Sequence, residues 1–311
     1  MGRRPQRVYL DHRCLPRRPH RPIRNSTISL GRAAFDFDGD GKTDISVTRH
    51  SASSTWYQLR SADGYTFTQF DLGQTGDMIV PADYNGDGKT EAGVFRPTTG
   101  DWWVMTEGES VATAMNAGVA GDIALPSDYT GDGKADFVLY RPSTGQWLRY
   151  ENGSTNTSHM AFGAAGDKPL IADFDGDGKA DPSIFRSSTG TFWYAASSQG
   201  NAHRASQWGA NGDVPAVADY DGDGKSDYAI FRPSNGEWYI LNSSTGQMTG
   251  LVWGMNGDKP LAGDFDGDGK ADVAVFRPAN GTWYIIKSGS GYQGFVWGVS
   301  TDIPASAAYV Q

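Results

Sequence analysis

Short apolar runs alternate along the chain with breaks rich in Gly, Asp and Ser, and no run approaches the roughly 18 consecutive apolar residues that would span a bilayer. In Val273-Ala274-Val275-Phe276 and Tyr228-Ala229-Ile230-Phe231 small residues alternate with larger ones, the period of two expected of a half-packed strand. An Arg-Pro-x-x-Gly turn follows, as from Arg277-Pro278 to Gly281, and then a second, aromatic strand such as Trp283-Tyr284-Ile285-Ile286. Upstream lies a hydrophobic-Gly pair: Leu72-Gly73, Ala117-Gly118, Phe162-Gly163, Trp208-Gly209, Trp253-Gly254 or Trp297-Gly298. Gly-Asp-x-x comes next, often ending in Pro, as in Asp167 to Pro169 and Asp258 to Pro260. Each unit reads as about four short strands joined by turns.

The unit recurs. DFDGDGKTD at 36–44 returns as DYNGDGKTE at 83–91, DYTGDGKAD at 128–136, DFDGDGKAD at 173–181, DYDGDGKSD at 219–227 and DFDGDGKAD at 264–272, with starts 47, 45, 45, 46 and 45 residues apart. So constant a period means one supersecondary unit used six times. Four antiparallel strands in about 45 residues match one blade of a β-propeller, an all-β fold whose radial closure protects the sheet edges. Small residues at Ser46, Gly93, Ser183, Ala229 and Ala274 suit a face pressed against the next blade. The first unit lacks a full hydrophobic-Gly entry, while the last pair, Trp297-Gly298, is followed by DIPASAAYVQ and no acidic loop. The two deficits are complementary, so a C-terminal strand at about 303–310 is expected to dock beside the first unit and close six blades; the alternative is seven, with residues 1–35 supplying a blade.

Charge separates the chain into two parts. Residues 1–35 hold nine Arg and one Asp, a balance of +8, which leaves −17 over residues 36–311 from the overall −9. Residues 1–32 are expected to form a disordered Arg/Pro-rich leader and 33–311 the propeller. The acidic remainder would repel nucleic acid and asks for cations. A single Cys, Cys14, excludes a disulfide framework and any multi-Cys zinc site.

The acidic loops answer that demand. Oxygen donors fall at positions 1, 3, 5 and 9, Gly at 4 and 6 allows a sharp turn, and the backbone carbonyl of the Lys at position 7 adds a further donor. The candidate ligands are Asp36, Asp38, Asp40, Lys42 and Asp44 in the first loop and Asp83, Asn85, Asp87, Lys89 and Glu91 in the second. The third offers Asp128, Thr130, Asp132, Lys134 and Asp136, and the fourth Asp173, Asp175, Asp177, Lys179 and Asp181. The fifth offers Asp219, Asp221, Asp223, Lys225 and Asp227, and the sixth Asp264, Asp266, Asp268, Lys270 and Asp272. Hard oxygens without His or Cys select Ca²⁺, at about six sites, with the second and third loops the weaker. Loops of this kind work at near-millimolar extracellular calcium, so a secreted or surface protein is expected, although residues 1–30 show no apolar signal-peptide core.

The hydrophobic-Gly pair, the DxDGDGxxD loop and the apolar strand ending in Phe-Arg-Pro together resemble the FG-GAP, or VCBS-type, repeats that build the integrin α-subunit propeller. The resemblance covers about 33–311 and implies that the loop between the first two strands of each blade binds Ca²⁺ through Asp36, Asp38, Asp40, Asp44 and their counterparts. The family's Gly-Ala-Pro is replaced here by Phe95-Arg96-Pro97, Phe231-Arg232-Pro233 and Phe276-Arg277-Pro278.

Two further series repeat once per unit. Arg49, Arg96, Arg141, Arg186, Arg232 and Arg277 are expected to pair with carboxylates or cover aromatics rather than bind a ligand. Trp56, Trp102, Trp147, Phe192, Trp238 and Trp283 are expected to pack between blades, leaving less regular aromatics such as Trp103 and Tyr292 freer for ligand contact. The five His share no repeat position and no G-x-S-x-G is present, so no enzyme is expected. The reading is a monomeric, calcium-binding binding or adhesion module for a protein or glycan, without a transmembrane segment. An accessory domain of a secreted hydrolase and a cryptic enzyme are the competing readings.

Overall fold

The computed structural model describes residues 34–105, 113–151, 157–289 and 291–307; the expectations placed on residues 1–32 lie outside them. The described residues form six antiparallel sheets of four strands. Blade 1 holds β1 (Ile45–His50), β2 (Ser54–Arg60) and β3 (Thr66–Asp71), and blade 2 holds β4 (Met78–Ile79), β5 (Ala92–Arg96), β6 (Asp101–Met105) and β7 (Thr113–Asn116). Blade 3 runs through β8 (Ile123–Ala124), β9 (Phe137–Arg141), β10 (Gln146–Tyr150) and β11 (Thr157–Ala161), and blade 4 through β12 (Lys168–Ala172), β13 (Asp181–Arg186), β14 (Thr191–Ala196) and β15 (Ala202–Gln207). Blade 5 comprises β16 (Val214–Pro215), β17 (Tyr228–Arg232), β18 (Glu237–Leu241) and β19 (Met248–Val252). Blade 6 comprises β20 (Lys259–Gly263), β21 (Asp272–Arg277), β22 (Thr282–Ile286) and β23 (Tyr292–Val296).

The last strand, β24 (Ile303–Pro304), completes blade 1: it pairs with β1 in the register Val47↔Pro304 and Thr48↔Ile303. Six blades therefore close into a β-propeller, as the complementary deficits of the first and last units predict. The closing strand is shorter than expected. Pro304 has no N–H to extend the ladder, and the chain turns into a 3₁₀ segment at Ala305–Ala307.

The core is divided among the blade interfaces. Phe37, Trp56, Leu72, Ile79 and Val94 join blades 1 and 2, Phe95, Trp102, Leu139 and Leu148 join blades 2 and 3, and the same layering continues around to Ile45, Val47, Leu261, Phe276 and Trp283 between blades 6 and 1. Trp56, Trp102, Trp238, Trp283 and Phe192 are wholly buried and Trp147 nearly so, as the fixed strand position predicts. Burying such an indole requires a partner for its N–H. Trp56 donates to the Leu72 carbonyl at 3.1 Å, Trp102 to Ala117 at 3.2 Å and Trp147 to Phe162 at 3.0 Å, so the hydrophobic-Gly pair supplies the acceptor. The outermost strands are largely exposed, which places the first strand of each blade at the axis.

The recurrent Arg is a bracket. Arg96 reaches Asp77 through Nε and Nη2 at 2.8 and 2.9 Å, and the same two-pronged pairs join Arg141–Asp122, Arg186–Asp167, Arg232–Asp213, Arg277–Asp258 and, across the closure, Arg49–Asp302. Each Asp is buried; five are the one in Gly-Asp-x-x, and Asp302, at the closure, follows Thr301 instead, while an aromatic ring lies under most of the guanidinium groups, as Trp103 does under Arg96 at 4.3 Å. Trp103 is thus committed to structure, whereas Tyr292 stays exposed beside Trp253.

Candidate metal centre

The acidic loop leads into the second strand of every blade and, in blades 2 to 6, joins it to the first, and its position 1 carboxylate builds the turn. Asp36 accepts the N–H of Gly39 at 2.6 Å on one oxygen and of Gly41 at 2.8 Å on the other. Asp83, Asp128, Asp173, Asp219 and Asp264 hold the corresponding pair of glycines in the same way. Both glycines stand at positive φ, 84° and 87° in the first loop, where a side chain would be strained. The position 9 carboxylate closes the loop and ties it to the turn after the third strand. Asp44 accepts Phe37 N–H at 2.8 Å and Ser61 N–H at 2.7 Å; Asp181, Asp227 and Asp272 take Ser197, Ser243 and Ser288 in the same manner.

This folding brings carboxylates together. Asp36, Asp38 and Asp40 in the first loop, and Asp83, Asp87 and Glu91 in the second, each place one oxygen within 4.8 Å of the others. Asp173, Asp175 and Asp181, then Asp219, Asp221 and Asp227, then Asp264, Asp266 and Asp272 do so in the last three loops. In those three the position 5 residue stays outside the trio, and the carboxylates of Asp177, Asp223 and Asp268 receive the N–H of Lys179, Lys225 and Lys270. Asn85 fits the second loop by donating to Glu91 at 2.6 Å. The third loop gathers no such trio: Thr130 turns its hydroxyl onto Asp128 at 3.3 Å.

Burial makes these groupings costly without a cation. Desolvation first, then neighbouring carboxylates, push Asp44 and Glu91 up to about 7 and Asp173, Asp181, Asp227 and Asp272 up to about 6, against the opposing pull of backbone N–H donors. Converging hard oxygens, a glycine turn and uncompensated buried charge fit a hard divalent ion in five loops, and the third loop fits it less well.

The six loops are also joined to one another. The position 8 N–H of each blade donates to the position 1 carbonyl of the blade before: Thr90 to Asp36, Ala135 to Asp83, Ala180 to Asp128, Ser226 to Asp173 and Ala271 to Asp219, and Thr43 returns to Asp264, all at 2.7 Å. Beside each bond the Lys at position 7 lies across the neighbouring position 4 glycine; a Cβ on Gly176 would stand 2.8 Å from Lys225 Cγ and Cε. The lysines therefore serve inter-blade packing. This hydrogen-bonded ring has no single-loop sequence signature.

The histidines are scattered. His50 shares a 2.6 Å hydrogen bond with Ser54 and His203 packs on Phe162, but Ser54 is wholly buried in a hairpin, where a nucleophile would be inaccessible. No helix among the described residues is long and apolar enough to cross a membrane.

Comparison with known proteins agrees with this architecture. The FG-GAP-like repeat pattern matches residues 36–94, 128–181 and 219–275, and the FG-GAP repeat pattern matches 256–299. No curated protein matches the sequence significantly. Among solved structures, an Agrocybe aegerita lectin described as recognising non-reducing terminal N-acetylglucosamine is similar with 19% identity over 80% of this chain and 75% of its own, TM-score 0.54. Virginiamycin B lyase from Staphylococcus aureus aligns at 10% identity over 86% and 84%, TM-score 0.53. A chain of a nidogen/laminin complex aligns at 10% over 81% and 93%, TM-score 0.52. At these identities the structural likenesses establish the fold and nothing finer. With the repeat pattern matching more than half of its length, the chain belongs to the FG-GAP-like repeat family.

Proposed function

We propose that the chain is a non-catalytic calcium-binding β-propeller that serves outside the cell as a binding or adhesion module for a glycan or protein. The observation that carries the calcium reading is the convergence of three carboxylates in each of five loops. Asp36, Asp38 and Asp40 in the first loop, and the converging trios of the other four, would hold the ions; bound calcium would offset the buried charge and fasten each loop to the ring of inter-blade bonds. The FG-GAP-like repeats and the occurrence of this fold in a glycan-recognising lectin and a nidogen/laminin complex support the binding-module reading. Virginiamycin B lyase carries chemistry on the same fold, so the fold itself decides nothing about catalysis. Probing a glycan array and an extracellular-matrix panel with and without Ca²⁺ tests the proposal. Calcium-dependent retention is the expected result, and no retention on either panel with calcium-loaded protein contradicts it.

A further inference from the structure

Between blades 3 and 4 lies a cavity of about 180 Å³, far more than the roughly 15 Å³ one water needs. Its surroundings break the repeat in three places. The Tyr at loop position 2 normally caps a carbonyl of its own blade: Tyr84 donates to Val80 and Tyr220 to Ala216, both at 2.7 Å. Tyr129, in the same position and only 5% exposed, leaves its hydroxyl without a partner. The Ser after the third strand normally gives its hydroxyl to the position 5 carboxylate, as Ser61, Ser243 and Ser288 do to Asp40, Asp223 and Asp268; the Ser197 hydroxyl is buried and unpartnered. Two residues after the buried aromatic, where other blades place Gln58, Val104, Tyr194, Ile240 or Ile285, stands Arg149. Its Nη1 and Nη2 are engaged by the Tyr129 carbonyl and by Glu151, and its buried Nε–H has no acceptor.

These three residues line one cavity, with Trp147, Met160 and Pro182 as an apolar wall and exposed His159 and Asn201 at its mouth. A buried polar atom left unsatisfied costs stability, and native structures keep few of them. Three such atoms belong to residues that line one void; each is shut off from it as the side chains stand, and rotation of those side chains would turn all three inward, which marks a place for a ligand. An anion is disfavoured, because the backbone N–H groups of Tyr129 and Ser197 already rest on the loop carboxylates of Asp136 and Asp181. A cation would meet Arg149, and a purely apolar molecule would leave all three polar groups stranded.

We infer that the cavity between blades 3 and 4 is a binding site for a neutral, ring-sized polyhydroxylated molecule of the monosaccharide class, held by Tyr129, Arg149 and Ser197. Small side-chain adjustments of the kind common on binding bring the hydroxyls and the guanidinium onto the ligand. The site deepens the binding-module reading and rests on it, but its position between these two blades is a separate claim.

Saturation-transfer NMR on the full calcium-loaded chain, with glucose, galactose, mannose, N-acetylglucosamine and glucuronate as probes, tests it. At least one neutral sugar is expected to bind, and Tyr129→Phe and Ser197→Ala are each expected to weaken that binding about tenfold or more. Tyr129→Phe should melt no lower than the parent, since it deletes an unpartnered hydroxyl, while Tyr220→Phe should melt lower and leave sugar binding unchanged. Binding that both cavity substitutions leave intact overturns this site while sparing the binding module. Binding of glucuronate alone overturns the ligand class. Silence from every neutral probe overturns the inference, even where the array detects a larger glycan or a protein partner.

Discussion

Asp44 and Asp181 show what a single buried carboxylate asks of this fold. Desolvation, joined by neighbouring carboxylates, lifts them from an ordinary 3.8 to about 7 and about 6. A folded-state value above the unfolded one means that the protonated form suits the metal-free fold. That contribution is complete below about pH 4 and is lost as pH rises through 6 to 7. In EDTA the contribution of these carboxylates should therefore lower the melting temperature between pH 4.5 and 8. Calcium affinity should rise over the same range because the ligands must be deprotonated. Thermal melts across that range with and without calcium check both signs. The Arg–Asp brackets lead to a second prediction. Arg277→Met leaves the buried Asp258 carboxylate without its two-pronged partner and should cost about 3 kcal/mol, with Arg277→Lys intermediate because an ammonium cannot reproduce the fork. Urea unfolding of the two variants measures it. The pairing of these arginines with carboxylates was legible in their recurrence. The partner was not named, yet a constant separation of 19 residues from Asp77 to Arg96 through Asp258 to Arg277 would have identified it.

The strand-joining turns depend on glycine for a reason of space. A Cβ on Gly190, which stands at φ 64°, would lie 2.1 Å from the Gly209 carbonyl oxygen, and Gly236 and Gly281 meet Gly254 and Gly298 in the same way. Gly190→Ala should therefore unfold at a melting temperature several degrees lower, by more than the roughly 1 kcal/mol of left-handed strain alone, because the backbone of the hydrophobic-Gly element must also move. Calorimetry of that one variant decides the matter. The four-strand unit, its turns and the closure by the C-terminus could all be read from alternation and period. The length of β24 could not, since DIPASAAYVQ alternates well enough for a strand while Pro304 lacks the N–H that a longer ladder needs. Short as it is, β24 covers the edge of β1. Removing residues 303–311 should expose that edge and promote association, seen as a shift in sedimentation; a truncated chain that stays monomeric with unchanged melting would show that β24 is dispensable.

Across the whole molecule the six loops form one continuous ring, each held to the next by a 2.7 Å bond and a lysine laid over a glycine. The loop motif and its candidate ligands stand plainly in the sequence. The ring and the cavity beside Tyr129 do not, because both arise from contacts between blades about 45 residues apart. The departure of Arg149 from the repeat was the one available signal of the cavity. Each ion bound only by the folded chain adds about 1.4 kcal/mol at tenfold saturation, so five would contribute roughly 7 kcal/mol, comparable to the stability of a domain. Thr130 leaves the third loop the poorest, so Asp175→Ala should lower calcium content and melting temperature more than Thr130→Ala. The most direct measurement is the calcium content of the purified chain together with its melting temperature before and after EDTA. About five ions per chain and a fall of many degrees on chelation, reversed by Ca²⁺ and poorly by Mg²⁺, are the expected result; a content of zero or one with melting indifferent to EDTA would contradict calcium binding by the loops.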